Sequence, residues 1–375
     1  MKKKAAVLGA TGSIGRQTLD VLRELKDRFE PVLFTAAKNH EMLIALKKEF
    51  PGALIALSRE GILEAIAETK PDITVNGISG AAGLEYSVAA ITAGSDLALA
   101  NKESVVMAGN LIFDLAKEKN IRIIPVDSEH MTLFKLIEAH GRENVSEIIL
   151  TASGGPFRNY SMEKLAAVTF EEALAHPTWN MGPKITIDSA TLANKGLEVI
   201  EAAYYFGFSP EKIKVVVHPQ SIVHSMVRLK NGAVYVQMSK PDMRLTIHDA
   251  LTWPETVFSP FGVLDFDSLT LGFEKPDIER FPMLALAWEA LNGSPLLPCV
   301  YNAANEIAVE AFFSGMAGFL EIPRIVGYVI NESRSNNNQI MHDRSYSDSI
   351  RLILENDRKA RELASNFIKC MKKPE

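Results

Sequence analysis

Short apolar runs recur through the first third of the chain, at residues 5–9, 32–36, 53–57, 72–76, 97–100 and 121–126. Between them the apolar positions return at helical spacing, an alternation that predicts βαβ units feeding one parallel sheet. The first helix is expected to carry Thr18, Leu22, Leu25 and Phe29 on its inner face. A second α/β stretch runs to about residue 260, with strands expected near 147–151, 185–187, 213–218, 222–228 and 233–238. The stretch 188–206 reads as one helix. Pro254, Pro260 and a loop-rich passage as far as Pro282 read as a linker, and from about 283 the pattern turns helical, for example over 303–313 and 345–370. The predicted fold class is α/β, with an N-terminal Rossmann-like parallel sheet (1–125) and a central α/β domain (126–260). A linker (261–282) and a C-terminal helical domain (283–375) follow.

Composition narrows the class. At 375 residues the chain should exceed one domain. The blandest stretch, around 77–100, contains Glu85 and Asp96 and many glycines, so no membrane helix is expected. A net charge of −6 without a basic patch argues against nucleic acid as a partner. The opening Met-Lys-Lys-Lys resembles a signal peptide, but the apolar run that follows is only 5–10 and reads better as a first strand. Two cysteines, Cys299 and Cys370, suggest a reducing, cytoplasmic setting with no disulfide frame.

The first apolar run ends in Gly9-Ala10-Thr11-Gly12-Ser13-Ile14-Gly15, and a helix follows at once. Strand, glycine turn and helix in that order suit a dinucleotide pyrophosphate, because backbone amides at the helix start bind negative charge. The spacing is GxxGxxG rather than GxGxxG, and the plainer reading is a tight turn without a ligand. The second strand ends in Ala37-Lys38-Asn39, with no acidic residue where an NAD enzyme holds the ribose 2′-hydroxyl. A lysine there favours NADP, although an exposed lysine is ordinarily just solvated.

Three carboxylates form the second signal. Asp127 and Glu129 follow the run 121–126, where i and i+2 positions of an extended segment share a face. Glu198, on the expected helix, can add a third oxygen. Carboxylates without His or Cys partners suit a hard cation such as Mg²⁺ or Mn²⁺, with Co²⁺ a further possibility. Solvated acids at a strand end are the plainer alternative.

Several loops carry further chemistry. Ser153-Gly154-Gly155 leaves a hydroxyl and glycine amides at a strand end, either a phosphate cradle or an ordinary turn. Ser189, Asn194 and Lys195 precede Glu198 within one polar helical stretch, with Asp188 or Ser189 as an N-cap in the bland reading. His176-Pro-Thr-Trp179-Asn-Met181-Gly182-Pro-Lys184 reads as a loop that closes over a substrate, or as one that Trp179 anchors to the core. Lys102 follows a strand and suits oxyanion stabilisation or plain exposure. A lone strand-end His218 reads as structural.

Taken in order, several motifs resemble the 1-deoxy-D-xylulose 5-phosphate reductoisomerase family across nearly the whole chain. They are Ala-Asn-Lys-Glu-Ser (100–104), Val-Asp-Ser-Glu-His (126–130), Ser-Gly-Gly-Pro-Phe-Arg (153–158), His-Pro-Thr-Trp-Asn-Met-Gly (176–182), Asp-Ser-Ala-Thr-Leu-Ala-Asn-Lys-Gly-Leu-Glu (188–198) and His-Pro-Gln-Ser-Ile-Val-His-Ser (218–225). The resemblance implies that 1–125 binds NADPH and that 126–260 is the catalytic, metal- and substrate-binding domain, with a lid over 176–184. It assigns Thr11, Gly12, Ser13 and Ile14 to the pyrophosphate and sets Ala37, Lys38 and Asn39 near the 2′-phosphate. Asn101, Glu103 and Gly182 become further cofactor contacts. Asp127, Glu129 and Glu198 become metal ligands, the two glutamates also touching substrate. Ser153, Ser189, Asn194 and Lys195 become phosphate ligands, and Lys102, Ser128 and His176 other substrate contacts. Lys102, Glu129 and His176 take the catalytic roles, and Trp179 belongs to the lid. Ala37 departs from the pattern, standing where many relatives have glycine.

The implied reaction is a metal-assisted rearrangement of 1-deoxy-D-xylulose 5-phosphate followed by reduction with NADPH to 2-C-methyl-D-erythritol 4-phosphate, a step of non-mevalonate isoprenoid synthesis. The implied partners are this phosphorylated sugar and a second copy of the chain. Two rivals share the cofactor domain. A homoserine- or semialdehyde-type dehydrogenase would not need three carboxylates, and the two late cysteines leave the latter without its nucleophile. A non-catalytic NADP sensor would have no reason for the lid or for Asn-Lys-Gly-Leu-Glu.

Overall fold

The computed structural model describes residues 1–175, 178–179, 181–334 and 345–371. Strands β1 (Lys3–Leu8), β2 (Phe29–Thr35), β3 (Leu54–Ala56), β4 (Ile73–Asn76), β5 (Asp96–Leu99) and β6 (Ile123–Pro125) form one sheet in the order β3-β2-β1-β4-β5-β6. The pairs β1–β2, β1–β4, β2–β3, β4–β5 and β5–β6 are parallel. The helices between them are α1 (Ser13–Glu24), α2 (His40–Glu49), α3 (Arg59–Thr69), α4 (Gly83–Thr92) and α5 (Lys102–Lys119), with α6 (Ser128–His140) after the last strand. This is the expected Rossmann-like arrangement. The strand order reverses between β1 and β4, and a doubly wound sheet opens its ligand crevice beside such a reversal.

The second sheet runs β10-β9-β7-β8, built from β7 (Val145–Ala152), β8 (Ile213–Val217), β9 (Val223–Leu229) and β10 (Val234–Met238). Between β7 and β8 lie the short α7 (Met162–Ala166) and α8 (Phe170–Ala173), then α9 (Pro183–Ala190) and α10 (Ala193–Phe206). After β10 come α11 (Met243–Thr252), a long irregular passage, and the helices α12 (Met283–Leu291), α13 (Leu297–Phe313), α14 (Glu321–Arg334) and α15 (Tyr346–Met371). Contacts divide the chain into two compact units. One comprises 1–105, 110–135 and 238–266, the other 106–109, 136–237 and 267–375. The grouping cuts across the sequential division, because α11 returns to pack on α1, where Ile247 and Leu251 join Val7, Leu19, Phe34 and Val75 in one core.

Four local expectations need correction. Residues 185–187 are not a strand but the middle of α9. Ile-Thr-Ile is a short β-branched run, which periodicity alone cannot separate from a buried helical turn. The helix expected over 188–206 is two helices, broken at Leu192, whose φ is 62°. The loop ends earlier than 184, because Pro183 occupies the first turn of α9, where its missing N–H costs nothing. Finally, α1 stops at Glu24, and Phe29 opens β2 instead of lying on the helix.

Candidate active site

In the first unit, the turn after β1 is built by its glycines. Gly9 has φ +77°, and a Cβ there would stand 3.1 Å from the Gly77 carbonyl oxygen that follows β4. A Cβ on Gly15 would fall 2.2 Å from the Gly9 oxygen, so the first turn of α1 rests directly on the turn. Gly12 caps α1 with extended backbone and no side chain to occupy the helix amides. Thr11 and Ile14 are half-buried, while Gly12 and Ser13 are exposed. The result is a helix N-terminus whose amides no capping side chain takes up, suited to an anion.

At the end of β2, Ala37, Lys38 and Asn39 are all exposed. Asn39 caps α2, accepting from the Met42 amide at 3.0 Å. Asn101 caps α5 and is buried. Its Oδ1 accepts from the Ser104 amide at 3.0 Å, and its Nδ2 donates to the Gly80 oxygen and to Glu103, both at 2.9 Å. Asn101 thereby fixes the segments after β4 and β5 to each other.

Asp127 and Glu129 lie in the same unit, but not on one extended face. β6 ends at Pro125 and α6 begins at Ser128, so Glu129 belongs to the first helical turn. The run 121–126 is extended only over three residues, because Asp127 caps the helix and stops the strand. Asp127 Oδ1 accepts from the Glu129 and His130 amides at 3.1 Å each and pairs with His130 Nδ1 at 2.8 Å. Its Oδ2 accepts from Lys102 Nζ at 3.1 Å. The Ser128 hydroxyl donates to Glu129. Helix start, lysine and hydroxyl surround the two acids, which together offer a donor set of hard oxygens.

In the second unit, Ser153 meets Ser189, and Asn194 and Lys195 meet Glu198. Gly154 (φ +80°) and Gly155 (φ +66°) turn the chain after β7, and a Cβ on Gly155 would stand 2.8 Å from the Ala190 Cα. That approach brings the Ser153 hydroxyl to 3.4 Å from the Ser189 hydroxyl. Beyond the break at Leu192, Asn194 Nδ2 donates to Glu198 Oε1 at 2.5 Å, and Lys195 Nζ donates to Glu198 Oε2. The Lys195 and Glu198 side chains are 3% and 1% exposed, so their ion pair is buried. Removing one member of such a pair costs roughly 3–5 kcal/mol.

Gly182 caps α9. Trp179 lies 6.4 Å from the His224 ring. His176 lies outside the described residues, as do Pro177 and Asn180 of the expected lid. His218 is structural: fully buried, it pairs with the Gly272 oxygen at 2.8 Å, accepts from the Ile222 amide at 3.2 Å and stacks on Phe273.

Two residues of this region, Tyr301 and Asn305, escaped the sequence reading, and Asp188 has another role than the one expected. Asp188 is no N-cap. Buried inside α9, it accepts from Lys184 Nζ at 2.8 Å and from Asn305 Nδ2 at 2.8 Å. Tyr301, on α13 with Asn305, shares its one hydroxyl hydrogen between the Met283 oxygen at 3.2 Å and the Ala193 oxygen at 3.4 Å. Burial, and secondarily Asp188, raise the Tyr301 phenol well above its ordinary pKa, so it stays a donor. The available signal was polar Tyr and Asn in an otherwise apolar helix, since buried polar groups need partners.

Fold and site geometry define the class first: an oxidoreductase built on a dinucleotide-binding sheet. Family models for 1-deoxy-D-xylulose 5-phosphate reductoisomerase match residues 5–60 and 52–109, and models for its C-terminal domains match 123–206 and 238–363. The reductoisomerase of Treponema denticola is 48% identical over 343 residues, covering 88% of this chain and 90% of its own. That of Pelodictyon phaeoclathratiforme is 46% identical over 393 residues, covering 98% and 100%. The Zymomonas mobilis reductoisomerase, solved in complex with NADPH, superposes with a TM-score of 0.88 at 39% identity over 98% of this chain and 99% of that one. A DOX-P reductoisomerase solved with NADPH, fosmidomycin and magnesium gives 0.94 at 35% identity over 100% of both chains. The chain belongs to the 1-deoxy-D-xylulose 5-phosphate reductoisomerase family.

Proposed function

We infer that this chain is the NADP-dependent oxidoreductase that isomerises and reduces 1-deoxy-D-xylulose 5-phosphate to 2-C-methyl-D-erythritol 4-phosphate in the non-mevalonate isoprenoid route. The observation that carries this reading is end-to-end similarity to reductoisomerases, 46% identity over 98% of the chain. NADPH and Mg²⁺ are its cofactors, as the relatives solved with both support. The helix start at Thr11, Gly12, Ser13 and Ile14 holds the pyrophosphate in this reading, with Ala37, Lys38 and Asn39 beside the 2′-phosphate and Asn101, Glu103 and Gly182 as further contacts. Residues 1–125 then form the cofactor domain and 126–260 the catalytic domain, with 261–282 as linker and 283–375 as the helical domain.

Asp127, Glu129 and Glu198 are the proposed ligands of one divalent cation; their all-oxygen chemistry fits Mg²⁺ or Mn²⁺. When bound, the cation supplies Lewis-acid polarisation of substrate oxygens. Lys102, held by Asp127, counters negative charge developing on the substrate. Ser128 and His176 orient the sugar. Ser153, Ser189, Asn194 and Lys195 bind the phosphate, whose binding energy can be used to close the loop bearing Trp179 and exclude water.

A homodimer is the proposed assembly. β10 is an edge strand with Val234, Tyr235 and Val236 exposed, a row that pairing with a second copy would cover. A cytoplasmic location is supported by free Cys299 and Cys370; no helix among the described residues is long and apolar enough to cross a membrane. The direct test is NADPH oxidation by the purified protein with 1-deoxy-D-xylulose 5-phosphate and Mg²⁺. Substrate-dependent oxidation is expected. A folded protein that binds NADPH but never oxidises it with this sugar would refute the assignment.

A further inference from the structure

The residues assigned to the substrate phosphate sit on both sides of a break in the chain. Ser189 lies before Leu192, on α9, and Asn194 and Lys195 lie after it, on α10. Leu192 adopts a left-handed conformation (φ 62°) that a leucine seldom takes, and such a residue persists only where its surroundings enforce it. Two hydrogen bonds from α13, more than a hundred residues further along, reach either side of this break. Asn305 Nδ2 bonds Asp188 Oδ1 at 2.8 Å, on the α9 side. Tyr301, one helical turn earlier, bonds the Ala193 oxygen at 3.4 Å, on the α10 side. α13 therefore grips the break from both ends.

Two more contacts extend this grip. A Cβ on Gly196 would stand 2.6 Å from the Tyr301 hydroxyl, so α10 approaches α13 at a distance that only glycine permits. The second Asp188 oxygen accepts from Lys184, which follows directly on Gly182 and Pro183 at the root of the Trp179 loop. Asp188 thus links α13 to the start of α9. Asp188 is 1% exposed, and its charge is met inside the protein by Lys184 and Asn305.

We propose that Asn305 and Tyr301 are positioning residues for substrate phosphate, holding the two halves of the broken α9–α10 segment at the separation a phosphate group requires, with Asp188 relaying that position to Lys184. The inference rests on the phosphate-seat reading above and gives the C-terminal helices a part in it. Neither residue touches substrate; each acts through the backbone or carboxylate it holds.

The test uses Asn305→Leu and Tyr301→Phe in the full chain. Inorganic phosphate binding is measured by calorimetry, and KM for the sugar phosphate and for NADPH, kcat and melting temperature are measured alongside. Loss of one hydrogen bond to a charged group should weaken phosphate binding and raise the sugar-phosphate KM about tenfold in Asn305→Leu. The NADPH KM should stay at the wild-type value. Tyr301→Phe should shift the same two quantities in the same direction by about threefold, its bond being to a neutral carbonyl. Wild-type phosphate affinity in both folded variants would overturn the proposal. So would parallel loss of phosphate and NADPH affinity with a lowered melting temperature, which would mark a purely structural role. If wild-type protein fails to turn over the sugar, the functional reading falls, and the phosphate titration still decides this inference.

Discussion

At the turn after β1 the proposed anion seat is mostly backbone: three glycines let a helix start rest on a strand end, and no capping side chain takes up the helix amides, although the Thr35 hydroxyl accepts from the Gly9 amide. At the α9–α10 break the proposed phosphate seat is made of side chains, the Ser153 and Ser189 hydroxyls and the buried Lys195–Glu198 pair, with Asn305 bonding Asp188 from far away in sequence. A backbone seat accepts any pyrophosphate of the right length and depends on close approach. A side-chain seat discriminates, and it depends on whatever keeps its parts in register. The two should therefore fail differently under mutation.

The largest effect is expected at the side-chain seat. Glu198→Gln should lower kcat on the order of a thousandfold or more, the scale seen when a central catalytic group is removed, while NADPH affinity stays near wild type. Steady-state kinetics with a fluorescence titration of NADPH would show it; loss of cofactor affinity would remove Glu198 from the metal site. Gly15→Ala comes next. Its methyl would collide with the Gly9 oxygen and the Ala10 Cα, both backbone, and overpacking of that kind costs about 1–3 kcal/mol. Melting temperature and NADPH affinity should fall together.

Gly196→Ala sharpens the contrast, because its obstacle is partly a side chain. The methyl would meet the Tyr301 hydroxyl at 2.6 Å and the Ala287 Cβ at 2.8 Å. Adding Tyr301→Phe should recover part of the lost stability, on the order of 1 kcal/mol in a double-mutant cycle. No second mutation can rescue Gly15→Ala in this way. Lys38→Ala should raise the NADPH KM about tenfold and leave that for NADH unchanged, since an exposed lysine contributes only one screened charge. Equal losses for both cofactors would take Lys38 away from the 2′-phosphate.

The smallest effect separates the units by pH. Burial lowers the pKa of His248 in the first unit, with Asp249 opposing and Lys135 and Arg28 adding to it. The folded state thus favours neutral imidazole, and that contribution is complete above the unfolded value of 6.5 and fades as pH falls below it. In the second unit burial raises Tyr204 to about 12 and also raises Cys299, so their contribution fades as pH climbs past their unfolded values. Melting curves of His248→Asn should be flatter than wild type on the acid side only, and those of Cys299→Ala on the alkaline side only.

The same contrast explains what was legible in the sequence. The backbone seat is a local motif, strand then glycines then helix, and the chain announces it within fifteen residues. The acids, hydroxyls and lysine of the other seat were also legible as residue types, because Asp, Asn, Lys and Glu crowded into a helical stretch are poor core material. Their geometry was not. Ile185-Thr186-Ile187 carries β-branched propensity that tertiary burial overrode, turning an expected strand into α9. The break at Leu192 has no local signature, since neither glycine nor proline marks it; the side chains that bond either side of it come from α13. Glu129 entered a helix because Asp127 stopped the strand as its cap, a role that spacing alone could not separate from metal binding.

The most direct test of the account is Mn²⁺ binding, titrated by electron paramagnetic resonance in wild type and in the single variants Asp127→Asn, Glu129→Gln and Glu198→Gln. One site in the wild type, weakened on the order of a hundredfold or more in all three variants, is the predicted result for acids that share one ion. Undiminished binding in folded Glu198→Gln, with loss in the other two, would contradict it and leave Glu198 as a partner of Asn194 and Lys195 without a metal role.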